Sequence, residues 1–271
     1  MINERQRRVP IVLTIAGFDP SGGAGIIADI RTIETLDCTA VAAVTSITFQ
    51  NAKAYAGAIH QSAAAVRDQV EAILAEQEIA AVKIGMLPTA EIVREVAQLI
   101  SGYELPPAVI DPVMESTSGG KLMTDDAFEV FVTELMSRAR IITPNISEAE
   151  KLAGLNIRDE DSMRQAAARI RELGARAVLI KGGHLRQEPG ARSQEPGEQK
   201  RHAIDLLDDK GKVMAFRDEW IYAPNARGTG CILASAIACG LAKGDELKRA
   251  VQTAKQFVTQ TIRNSKFKIQ N

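Results

Sequence analysis

Residues 11–32 read IVLTIAGFDPSGGAGIIADIRT. An apolar run of strand length, Ile11–Ala16, passes into a glycine-rich turn, Gly17–Gly25, and then into a segment of helical composition. The run is nearly continuous in Val, Ile, Leu and Ala, which suits a strand covered on both faces inside a parallel sheet. The pattern recurs along the chain. Further strands are predicted over Ala40–Thr48, Ala81–Gly85, Ala108–Asp111, Arg140–Thr143 and Ala177–Lys181. Between them, Val66, Val70, Ile73 and Leu74 share one helical face, as do Ile92, Val93, Val96 and Ile100, and then Phe128, Phe131, Val132 and Leu135. Alternation of this kind predicts a doubly wound α/β fold.

The rest of the chain fits around that frame. Residues 186–200, RQEPGARSQEPGEQK, have no apolar period and are expected to be a mobile surface loop, because strand-like chain resumes at Ala203–Leu207. Asp209–Lys212 reads as a turn between two strands, and two helices, about Thr229–Ala242 and Glu246–Arg263, close the chain. No second core is visible, so residues 1–271 are expected to form a single domain. The net charge of -1 and 4% aromatic content argue against nucleic acid or an acidic membrane as partner. Apolar runs are too short to cross a bilayer, and the start MINERQRRVP lacks the apolar stretch of a signal peptide. Three cysteines, Cys38, Cys231 and Cys239, describe no disulfide framework. A cytoplasmic globular protein is the expectation.

Chemistry concentrates where the predicted strands end. The turn Gly17–Gly25 would let backbone approach a ligand closely at a helix N-terminus, or would simply reverse the chain. It has neither the dinucleotide spacing G-x-G-x-x-G nor a Walker P-loop. Arg227-Gly228-Thr229-Gly230-Cys231 opens a second helix, where consecutive amides make an anion pocket. The helix dipole and Arg227 are expected to lower the Cys231 thiol pKa. Asn145 and Glu148, in TPNISE, suit a helix cap on local evidence; an Asn/Glu pair serving hydrated Mg²⁺ is the functional alternative. Asp111 leaves a strand toward the ligand crevice or makes a turn before Pro112, and Lys181 would meet a phosphate or lie solvated at the sheet edge. The histidines, His60, His184 and His202, are too scattered for a zinc cluster or a Ser/His/Asp triad.

Taken in order, the segments TIAGFDPSGGAGIIADIRT, FQNA, VKIGML, VIDPVM, SGGKL, ITPNISEAEKL, VLIKGGHL and GTGC resemble the hydroxymethylpyrimidine/phosphomethylpyrimidine kinases of thiamine biosynthesis. That resemblance implies a ribokinase-like three-layer α/β/α fold with a central, mostly parallel sheet. It also implies ATP and Mg²⁺ as cofactors, a small pyrimidine as substrate, and a homodimer. By resemblance, Gly17 lines the pyrimidine pocket, Asp29 and Gln50 hydrogen-bond the ring, and Met86 and Val113 form apolar walls. Gly228, Thr229 and Gly230 would steady the transferred phosphoryl group, and Cys231 would assist deprotonation of the hydroxymethyl group. Asn145, Lys181 and Arg227 would face nucleotide or phosphate, with Glu148 and Asp111 placing the metal.

Three positions depart from that family's usual pattern. Arg227 stands where His is usual, Thr117 where a lysine is usual, and Phe18 where Ser or Thr is commoner. Arg227 is expected to supply the missing positive charge at the phosphates, since its planar fork suits them. The same scaffold would also suit a pyridoxal or pyridoxine kinase, or a vitamin-binding module without turnover. A cysteine hydrolase is disfavoured, because no histidine partner for Cys231 can be assigned.

Overall fold

A computed structural model describes residues 9–51, 53–116, 119–183, 202–219, 221 and 227–267. The expected loop at 186–200, His184, Thr117 and Ser118 lie outside the described residues. The strands are β1 (Ile11–Phe18), β2 (Thr39–Gln50), β3 (Tyr55–His60), β4 (Ala81–Ile84), β5 (Ala108–Ile110), β6 (Ala139–Ile142), β7 (Ala177–Gly182), β8 (His202–Asp209) and β9 (Lys212–Glu219). They form one sheet in the order β3-β2-β1-β4-β5-β6-β7-β8-β9. Strands β2 through β7 in that order pair in parallel, while β3, β8 and β9 join antiparallel.

The predicted parallel strands all form, each within a few residues of its expected ends. Their apolar continuity has the expected cause, because helices cover both faces. One face carries α2 (Ala63–Leu74), α3 (Ala90–Gly102), α4 (Asp125–Val130), α5 (Ile146–Ala153) and α6 (Glu160–Glu172), packed over Leu13, Ile15, Ile84 and Ile110. The other carries α1 (Gly25–Thr35), α7 (Thr229–Ala242) and α8 (Leu247–Phe267), packed over Val12, Val109, Ile141 and Leu179. Alternate residues of each strand thus serve opposite cores. Each fully buried aliphatic side chain contributes about 1.5–3 kcal/mol. The architecture is ribokinase-like: three layers, α/β/α, around a mostly parallel sheet.

Two elements differ from expectation. The helix predicted through Phe128–Leu135 is α4 followed by a π turn, Phe131–Leu135, and a 3₁₀ turn, Met136–Arg138. The wider turn still buries Phe131 and Leu135, so the apolar face survives the change of pitch. The edge strand β3 was not expected. It leaves Ile59 exposed, paired with the exposed Ile47 of β2 beside Phe49. Among the described residues no helix is long and apolar enough to cross a membrane.

Candidate active site

The carboxyl ends of β1, β4 and β5 and the starts of α1 and α7 meet around a cavity of about 400 Å³, counting its open mouth. Ligands of open α/β sheets bind on this side. Gly17, Gln50, Met86, Val113 and Cys231, five of the residues predicted from sequence, line it together. Gly17 is bare because a Cβ there would stand 2.8 Å from Met86 Sδ. The wall at Met86 is pinned from behind, where Thr45 Oγ1 donates to its carbonyl at 2.7 Å.

Asp29 is not where the ring-binding role would need it. Helical phase turns it inward, and it is fully buried. Its Oδ2 accepts from Thr14 Oγ1 and from Lys83 Nζ, both at 2.7 Å, and its Oδ1 from Ser235 Oγ at 2.9 Å. Both oxygens are occupied beneath the cavity, so the direct contact with a pyrimidine is corrected to a supporting position under the floor.

Lys83 is one residue that sequence reading missed. It sits on β4, fully buried, and contributes to the cavity lining beside Cys231. Burial alone would pull its ammonium down, but the Asp29 carboxylate, helped by Cys231 and Asp111, holds it above the usual lysine range. A charged side chain in the middle of the apolar run Ala81–Gly85 was the available signal. Asp19 was also missed. It is 1% exposed and lines the cavity. Its Oδ1 accepts from Ser21 N at 2.9 Å and Ser21 Oγ at 2.7 Å, while its Oδ2 has no hydrogen-bond partner.

The start of α7 closes the cavity. Gly228 is the N-cap, in the left-handed region at φ 69°, and no side chain caps the helix. A Cβ at Gly228 would lie 2.1 Å from the Gly23 carbonyl oxygen, so the two glycine turns interlock and only glycine fits. Thr229 and Gly230 follow in the first turn, where unpaired amides favour an anion. Gly230 lies against the Asp111–Lys181 pair, since a Cβ on it would stand 3.0 Å from Asp111 Oδ2 and from Lys181 Nζ.

The Cys231 thiol differs from the expectation. Burial pushes it up to about 11, with Asp29 and Asp111 adding to the rise and Lys83 and the Gly25 amide opposing it. Desolvation outweighs the helix terminus, so the resting group is a thiol. Arg227 does not supply the expected help. Its Nη1 donates to Ser21 Oγ at 3.2 Å and its Nη2 to Gln50 Oε1 at 3.3 Å, with Asp19 Oδ2 at 3.6 Å from Nη2. The guanidinium therefore lies against the first glycine-rich loop and the end of β2.

Behind Gly230, Lys181 Nζ donates to Asp111 Oδ1 at 2.7 Å, and Thr143 Oγ1 donates to the same oxygen at 3.2 Å. Burial pulls Lys181 down, yet Asp111 and Glu148 hold its ammonium above the usual range. Burial also pushes the Glu148 carboxyl up to about 7, against Lys181 and with Asp111. Asn145 and Glu148 form a capping box at α5: Asn145 Oδ1 accepts from Glu148 N at 2.9 Å, and Glu148 Oε2 from Asn145 N at 2.8 Å. The local capping reading is realised, and the same cap holds Glu148 near Asp111.

The sequence pattern of the family described as phosphomethylpyrimidine kinase matches residues 19–271. This chain belongs to that family. A Streptomyces coelicolor protein named hydroxymethylpyrimidine/phosphomethylpyrimidine kinase is 40% identical, with the alignment covering 93% of this chain and 88% of that protein. The crystal structure of a Clostridium difficile phosphomethylpyrimidine kinase superposes with a TM-score of 0.79 at 36% identity, covering 93% of this chain and 99% of that one. A Staphylococcus aureus pyridoxal kinase in complex with pyridoxal superposes with a TM-score of 0.82 at 30% identity, covering 95% and 89%. The family match takes in the interlocked glycine turns, the Asp111–Lys181 pair and Cys231.

Proposed function

We propose that this chain is a kinase of thiamine biosynthesis. It transfers the γ-phosphoryl group of ATP to the hydroxymethyl group of 4-amino-5-hydroxymethyl-2-methylpyrimidine, and a second to the monophosphate. The observation that carries this reading is the shared cavity. Gln50, Met86 and Val113, which suit a flat ring, share the cavity with Cys231 in the first turn of α7. Phosphoryl transfer asks mainly for in-line positioning and for charge neutralisation. The α7 amides and Lys181 supply the second without a P-loop. The minor thiolate form of Cys231 receives the hydroxymethyl proton as that oxygen bonds to the γ-phosphorus and ADP leaves.

The residues present suit Mg²⁺. Among the described residues no three His, Cys, Asp or Glu side chains gather into a cage. Two crowded carboxylates, Asp111 and Glu148, are what a largely hydrated Mg²⁺ shared with phosphate oxygens needs. When bound, that ion neutralises phosphate charge. Glu148, pushed up to about 7, gains a proton as pH falls and loses the anion that attracts the cation. The ATP-dependent rate is expected to fall between about pH 8 and about pH 6, and Glu148→Gln to flatten that limb. A pH profile at fixed free Mg²⁺ checks it; an unchanged limb in the variant would exclude Glu148.

All three cysteines are free thiols, which supports a cytoplasmic setting. The exposed strip of Ile47, Phe49 and Ile59 supports a homodimer formed through the β2–β3 edge.

The test is a mass-resolved assay with ATP and Mg²⁺, offering the hydroxymethylpyrimidine, its monophosphate and pyridoxal separately. Pyrimidine diphosphate is the expected product. Pyridoxal phosphate alone would make this a pyridoxal kinase, and no product with the ring still bound would make it a vitamin-binding module.

A further inference from the structure

Arg227 crosses the mouth of the cavity from the residue before the α7 N-cap to the first glycine-rich loop and the end of β2. Its side chain is only 15% exposed. Three observations define what it does there. A guanidinium offers donors only, so the Gln50 atom that faces it, 3.3 Å from Nη2, has to be the carbonyl oxygen. The Gln50 amide, otherwise free to flip, is thereby set with its NH₂ end turned from the guanidinium, and Gln50 lines the cavity. The Asp19 carboxylate is 1% exposed, and its Oδ2 has no hydrogen-bond partner. The nearest cation is Arg227 Nη2, at 3.6 Å. A buried carboxylate of this kind needs a compensating charge. Withdrawing the guanidinium to a phosphate would strand Asp19 and release Gln50 together.

We infer that Arg227 is a ring-side positioning residue: anchored by Asp19 and Ser21, it sets the amide of Gln50 so that its N–H donors meet an acceptor atom on the ring. This rests on the reading that an aromatic heterocycle occupies the cavity, and it deepens that reading. Ring recognition in this chain then runs through two residues acting as one unit, Arg227 behind and Gln50 in front. The charge of Arg227 serves the ring, while Lys181 and the α7 amides serve the phosphates.

A double-variant cycle tests it, using calorimetric titration of the nucleotide-free protein with the hydroxymethylpyrimidine, and with pyridoxal as a second ring. Arg227→Met and Gln50→Leu are each expected to weaken binding about tenfold, and the double variant also about tenfold, because the second change removes nothing further. Arg227→Lys keeps the charge beside Asp19 without the fork and should recover part of the loss, which guards against an Arg227→Met that folds poorly. The KM for ATP is expected to stay within about twofold of wild type in Arg227→Lys. A double variant weakened about a hundredfold would show independent action and overturn the inference. So would unchanged ring affinity with a raised KM for ATP, which would return Arg227 to the phosphates. Wild-type protein that binds neither ring would remove the ring from the cavity and the inference with it. Ring binding indifferent to Arg227 would sink the inference alone.

Discussion

Replacing Cys231 with alanine is expected to slow ATP-dependent product formation by about 10²–10⁴, the range over which a positioned proton acceptor acts. Ring affinity should hold, because Gln50, Met86 and Val113 are untouched. The pH dependence carries the sharper signature. Burial pushes the thiol up to about 11, so the thiolate is a minor species near neutrality and increases as pH rises. The wild-type turnover limited by that proton transfer should therefore climb through about pH 7 to about pH 9. The alanine variant should lose the slope as well as the rate. Single-turnover measurements across that range decide it: a residual rate with the same slope would assign the proton to another group.

The second large effect concerns stability. Lys83→Met leaves Asp29 as an uncompensated, fully buried carboxylate with Thr14 and Ser235 as its remaining hydrogen-bond partners. Breaking a buried pair from one side costs about 3–5 kcal/mol. For a chain of this size the melting midpoint should fall on the order of 10 °C. Adding Asp29→Asn removes the stranded charge while keeping an acceptor, and should recover much of the loss. Thermal and urea denaturation of both variants measure it. A single variant within about 1 kcal/mol of wild type would mean that Asp29 reaches water or takes up a proton at little cost.

These predictions rest on residues of unequal legibility. Apolar runs between glycine-rich turns disclose β1 and β4–β7, because a strand covered on both faces has no other way to look. The edge strand β3 hides, since Tyr55–His60 is short and mixed and gains its pairing from β2 rather than from its own pattern. Gly17, Gln50, Met86 and Val113 gather in one cavity because each ends or follows a strand on the carboxyl side of the sheet, and Cys231 joins them from the first turn of α7; element order is readable. Asp29 and Arg227 make contacts that no sequence pattern announces, for a different reason. Where a side chain points depends on what lies across from it: Lys83 and Ser235 in one case, Asp19 and Gln50 in the other. No local pattern reports those partners. The thiol of Cys231 misled in the same way, for a helix terminus is visible in sequence and the depth of burial is not.

The contact between Gly228 and the Gly23 carbonyl has an engineering consequence. Gly228 is closed to remodelling, because any side chain there would drive into that carbonyl, whereas a Cβ on Gly23 would meet nothing nearer than 3.6 Å. Room for a bulkier ring has to come from the opposite wall, where Met86 and Leu122 present side chains that can be shortened. A redesigned substrate range for this scaffold would be reached by trimming that wall, with the glycines left alone.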